Sequence, residues 1–164
     1  MDFIEKKAFA KLGYDETESK KLVSSLNSVL ANYHLHFQKI RNFHWNIVGP
    51  DFFELHEKFE ELYNQVQNNI DEIAERIRVF GKKPMSNLSD YLACSEIKEV
   101  NEHLSAREMV IEVRKDLEIL LSFYVESLNL ANEIGDAATV DLMSSYIREA
   151  EKTHWMFHSW LSSK

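Results

Sequence analysis

The chain has 164 residues, 45% of them hydrophobic and 28% charged, with a formal net charge of −8, so it can bury one sizeable core while the acidic balance favours gathering cations over nonspecific attraction to nucleic acid. A single cysteine, Cys94, excludes an internal disulfide, fits a reducing compartment and reads as a small buried apolar residue. No run reaches the roughly 18 apolar residues of a membrane span, and the opening MDFIEKKAFAKLGYDE has no apolar export core, so the expectation is a soluble, cytoplasmic protein of one domain over residues 1–164.

In chain order, residues 1–15 read as a tail and residues 16–162 as a helical bundle. Up to Lys21 the lysines Lys6, Lys7, Lys11, Lys20 and Lys21 are offset by Asp2, Glu5, Asp15, Glu16 and Glu18, so no basic arm is visible. Apolar residues three and four apart (Leu22, Leu26, Val29, Tyr33, Phe37, Ile40, ending at His44) predict a first helix from Glu16 to Ile47. Gly49 and Pro50 stop it, Asp51 can cap a second helix reaching about Phe80, and Gly81 and Pro84 end that one. A long connection over residues 81–104 holds SNLSDYLACS, which reads as a short helix capped by Ser86 or Asn87. A third long helix near Ser105 to Ile134 shows Val110, Val113, Leu117, Leu120, Tyr124 and Leu128. A fourth, after Gly135, shows Ala138, Leu142, Tyr146, Ala150, Phe157 and Leu161. No alternating pattern predicts a strand. The fold class is therefore all-α, a four-helix bundle with one long crossover between the second and third helices, which is the ferritin-like topology.

The stretch from His44 to Glu75 carries two groups of metal-ligand residues, His44, His56 and Glu60, and Asp71 and Glu75. On one helix Asp71 lies 15 residues beyond His56, about 22 Å along the axis, whereas metal bonds are about 2 Å long. Yet the helical repeat lays His56, Glu60, Asp71 and Glu75, in that order, within one arc of about 100° around that helix. This arc adjoins the apolar stripe of Phe59, Leu62, Val66, Ile70, Ile73 and Ile77 without belonging to it, and so faces outward. An antiparallel pairing of two copies about Gln65 and Val66 brings the two groups together, and Asn64 and Gln67 place no charge at the centre of such a contact. Oxygen and nitrogen donors with open positions suit iron(II), although zinc and manganese take the same donors. Each residue also has a plainer reading. His44 alone is a packing histidine, and Asp71 and Glu75 alone form a solvated face in which Glu75 pairs with Arg78 and Glu72 with Arg76. Glu151, His154 and His158 have ligand spacing but lack a second Glu-x-x-His to complete an intrachain site, and His34, His36 and His103 read as ordinary surface or packing residues.

FHWNIVGPDFFELHEKFEELY, followed by DEIAERI, resembles the signature of the Dps family, the small dodecameric ferritins of bacteria, and the likeness runs over residues 15–161. The resemblance implies a ferroxidase centre shared between subunits, with His44, His56 and Glu60 from one and Asp71 and Glu75 from its mate. Glu60 stands where the family commonly has Asp. The resemblance also implies an electron-donor role for Trp45, which a tryptophan packing the subunit contact would explain equally well, and an iron-entry pore at Asp136 and Asp141, of which Asp136 is equally a helix cap. The expectation is a dodecameric iron-storage and detoxification protein, an oxidoreductase of oxidative stress that oxidises iron(II) with hydrogen peroxide and stores a ferric mineral. A rival reading is a DNA-compacting protein with incidental iron chemistry, against which the charge balance argues.

Overall fold

The computed structural model describes residues 14–100 and 103–162, all of them in helices or connections. The helices are α1 (Glu16–Asn46), α2 (Phe52–Val79), α3 (Leu88–Cys94), α4 (Ala106–Glu133) and α5 (Ala137–Ser162). The expected tail, apart from Tyr14 and Asp15, lies outside the described residues.

Local chemistry sets the ends. Asp15 caps α1 by accepting from the Thr17 and Glu18 amides, and Ser105 with Glu108 forms a full capping box on α4. Gly49, Gly81 and Gly135 end the preceding helices with φ of 105°, 74° and 68°, a region that costs side-chain-bearing residues energy. Two expected caps differ in detail. Asp51 and Asn87 occupy the cap positions of α2 and α3 without a side-chain hydrogen bond to the cap amides, and the Asn87 side chain instead donates to Asp90.

Pairwise contacts give the directions. His44 meets His56 while Tyr33 meets Asn69, so α1 and α2 are antiparallel. Ser25 meets Ser127 and His36 meets Asp116, so α1 and α4 are antiparallel too. Gln65 meets Glu149 and Arg76 meets Thr139, which sets α5 against α2. It follows that α2 and α4 run parallel, and parallel neighbours need a connection that travels the length of the bundle. Residues 81–104 make that journey, with α3 packed on α1. Asn32 pins the crossover: its buried Oδ1 accepts from Ser95 Oγ and from the amides of Glu96 and Ile97, each at 3.0 Å.

The expected stripes of α1, α2 and α4 form the core. In α5 the stripe is shifted at its start, where Thr139 and Met143 are buried, Ala138 is exposed and Leu142 is only partly covered. Cys94, expected to be buried, is exposed, because α3 is a short helix that buries only Tyr91. Tyr33, Tyr124 and Tyr146 pack together at the centre with ring centroids 5.7–5.9 Å apart, and burial pushes all three phenols above their ordinary range.

Candidate metal centre

His44 lies in the last turn of α1 and His56 in the second turn of α2, so the Ile47 to Asp51 turn folds them face to face. Their rings stack at 3.8 Å and 20°. His44 Nδ1 bonds the carbonyl of His56, and His56 Nδ1 bonds the carbonyl of His44, both at 2.8 Å. A carbonyl only accepts, so each Nδ1 carries a proton, and in the neutral imidazole the lone pair is then on Nε2. This is the tautomer a metal requires, fixed by main-chain partners. Phe52 stacks on the outer face of His56 at 4.9 Å and Tyr63 meets the His44 ring edge at 5.3 Å. His44 is buried, His56 half-buried and Glu60 exposed, which grades the pocket from core to solvent.

Asp71 and Glu75 stand farther along α2, exposed, with no hydrogen bond or ion pair among the described residues. The local pairings expected for this face do not form. Arg76 reaches Asp136 at 2.6 Å, Arg78 donates to the Lys82 carbonyl at 2.9 Å, and Glu72 accepts from the Tyr146 hydroxyl at 2.7 Å. Among the described residues of one chain, no three His, Cys, Asp or Glu side chains gather into a group able to hold a metal ion. The two halves are therefore separate within the chain.

Trp45 is 57% exposed, and the Arg41 guanidinium lies 4.7 Å over its ring. Asp136 takes the place of the cap and does not offer a free carboxylate to a pore: it has no exposed surface, accepts from the Thr139 amide at 3.2 Å and pairs with Arg76. Burial works to raise its carboxyl, but hydrogen bonds from Arg76 and Thr139 and the Arg76 charge outweigh burial and hold it below the ordinary carboxylate value. Asp141 is exposed on α5. His154 of the second histidine group bonds Glu118 at 2.8 Å and Arg114 at 3.2 Å. His34 stacks on Tyr91 at 3.9 Å, and His103 is exposed.

Sequence reasoning missed one charged assembly in the bundle interior. Asp116 accepts from His36 at 2.9 Å and from Lys39 at 2.7 Å, all three being buried. The i, i+3 spacing of His36 and Lys39 on the α1 stripe was the available signal.

Residues 23–163 match the family model of the ferritin-like domain. The chain is 40% identical over 144 residues to DNA protection during starvation protein 2 of Bacillus anthracis, covering 88% of this chain and 99% of that one. Its fold superposes on the Dps protein of Vibrio cholerae O1 with a TM-score of 0.89 and 45% identity, covering 92% and 94% of the two chains.

The chain belongs to the Dps family.

The Vibrio cholerae protein is described as a member of a broad superfamily of ferritin-like diiron-carboxylate proteins. A Bacillus brevis Dps structure, 36% identical, gives a TM-score of 0.86 over 90% of this chain and 99% of that one. The Dps fold thus spans the described bundle, and none of its described helices is long and apolar enough to cross a membrane.

Proposed function

We propose that this Dps-family chain is a ferroxidase whose centre is completed between two copies related by a two-fold axis, in a dodecameric cytoplasmic shell that stores the ferric product. The observation that carries the reading is the contrast between the two halves. One is a braced pair of imidazoles whose Nε2 atoms have no hydrogen-bond partner, and the other a pair of carboxylates without a partner, both among the described residues of one chain. Two nitrogen and several carboxylate donors fit iron(II), which is here a substrate, with Glu60 adding an oxygen donor one turn from His56.

In this reading His44 and His56 offer their Nε2 atoms to the ion, and Asp71 and Glu75 of the mate neutralise its charge. Two iron(II) ions give up one electron each, and the O–O bond of one hydrogen peroxide breaks to accept them. Hydrolysis of the two ferric ions then releases protons as the hydroxide mineral forms. Trp45, next to His44 in sequence, is the proposed reserve electron donor when iron is short, and exposed Asp141 is the remaining candidate for a pore lining.

The test is complementation. His44→Ala and Asp71→Ala shells should each lose rapid iron(II) oxidation, and mixed shells should regain part of it, because one of the two centres in a mixed dimer collects both lesions and leaves the other whole. Mixed shells that stay inactive after subunit exchange has been verified would refute a shared centre.

A further inference from the structure

Arg76 sits on the same helix as Asp71 and Glu75, and its i, i+4 spacing from Glu72 would ordinarily lay its guanidinium across that acidic face. It is turned away instead. Nη2 donates to Asp136 Oδ1 at 2.6 Å and Nε to Thr139 Oγ1 at 2.8 Å, and the guanidinium lies 4.9 Å over the Phe80 ring. Asp136 belongs to the start of α5, has no exposed surface, and leaves its Oδ2 without a hydrogen-bond partner. A buried, half-satisfied carboxylate is a costly helix cap, since an exposed Ser or Asn would serve the same amide. Beyond the cap, its charge pairs with Arg76, and Oδ1 also accepts from the Tyr14 hydroxyl at 2.9 Å, which itself accepts from Arg76 Nη2 at 3.3 Å.

We infer that Asp136 is a positioning residue for the acidic half of the metal centre: by holding Arg76 at the base of α5, it keeps a positive charge off the face from which Asp71 and Glu75 reach a cation. The inference rests on the reading above that those two residues bind metal. Glu72, the nearest competitor for Arg76, is satisfied by the uncharged Tyr146 hydroxyl, which leaves the negative charge of the face intact. Arg78 is the cation that remains near the face, and one of its Nη groups is spent on the Lys82 carbonyl. Releasing Arg76 would place a second cation within about one helical turn of Glu72 and Glu75. At the intermediate effective dielectric of a protein surface this opposes a divalent ion by a factor of a few to about ten.

The experiment is calorimetric titration of Zn²⁺, which is redox-inert and reads binding alone, into the assembled protein. Asp71→Ala defines the component of binding that belongs to the acidic half. Asp136→Asn, which keeps the shape and a cap acceptor but loses the charge, should weaken that component roughly three- to tenfold. Adding Arg76→Met to Asp136→Asn should restore it to within about twofold of Arg76→Met alone, because the cation that was set loose is gone. A merely structural role predicts the reverse, since the second substitution removes more packing. Wild-type affinity in Asp136→Asn, or a double variant no tighter than Asp136→Asn, overturns the inference. Should Asp136→Asn fail to assemble, Thr139→Val removes the Nε acceptor and the hydroxyl's hydrogen bond to Asp136 while leaving the Asp136 charge, and should weaken the same component by a smaller factor; unchanged binding there overturns it. If Asp71→Ala binds Zn²⁺ as the wild type does, the metal reading of this face fails first.

Discussion

His44 and His56 each hold the other's main chain, Nδ1 to carbonyl in both directions at 2.8 Å. Alanine at either position keeps the carbonyl that braces the other ring but removes that ring's stacking partner at 3.8 Å and one of the two nitrogen donors. Single replacements of His44 or His56 by Ala should each lower iron(II) oxidation by a factor on the order of a hundred or more, and the double variant should be scarcely slower than either. Stopped-flow absorbance of the ferric product measures this. Losses that multiply in the double variant would show that the two rings act independently.

Asn32 is the second structural hinge of the molecule. Its Oδ1 accepts three hydrogen bonds from the segment Ser95 to Ile97, including two amides. Asn32→Leu strands the Glu96 and Ile97 amides, while the Ser95 hydroxyl keeps the Ile97 carbonyl, at a cost of about 2–4 kcal/mol. Thermal unfolding of the variant should show a midpoint lower by roughly 5–15 °C. Asn32→Asp keeps the acceptor and should recover much of the loss.

Asp136 makes stability depend on acid in a definite direction. Against the upward push of burial, its hydrogen bonds and the Arg76 charge hold the carboxyl below the ordinary value of 3.8. A depressed native value stabilises the fold fully above the unfolded value and ceases to do so as pH falls through the native one. The stability difference between wild type and Asp136→Asn, about 1–3 kcal/mol at neutral pH, should thus be level above about pH 5 and shrink below pH 3.8. Denaturant titrations at a series of pH values test it. A gap that widens on acidification contradicts the assignment.

DNA provides the clearest separation from the rival reading. The chain carries −8, and up to Lys21 its acids and lysines cancel one for one, so counterion release has little basic surface to work with. No gel shift of plasmid DNA is expected at pH 7.5 and moderate salt. A salt-sensitive shift by metal-free shells would put the protection of DNA ahead of iron storage.

The long helices were legible because Gly49, Gly81 and Gly135 mark their ends and their apolar stripes have one period throughout. The placement of His44, Glu60, Asp71 and Glu75 around the bundle was legible for the same reason, since angle and rise on a helix follow from counting. What counting misses is whatever a distant partner decides. The first turn of α5 buries Thr139 rather than Ala138 because Arg76 draws Thr139 and Asp136 toward α2. That one contact also displaced the Glu72 and Arg76 pairing and put Asp136 in the cap role that was its alternative reading. The histidine brace was illegible for another reason: its partners are backbone carbonyls, which every residue possesses and no sequence pattern displays.

Because α2 carries both proposed ligand groups, it would serve as a gauge rod for the proposed centre. Its interior answers to insertions and deletions far more sharply than to substitutions. Removing one residue between Glu60 and Asp71 would turn the second group by about 100° against the first and draw it about 1.5 Å closer. A mate related by symmetry would inherit the same error, so nothing across the contact could compensate. For the spacing of the two groups, the number of residues in 61–70 matters more than their identity, which the core still constrains at Leu62 and Val66, and the interval from His56 to Asp71 behaves as a fixed integer.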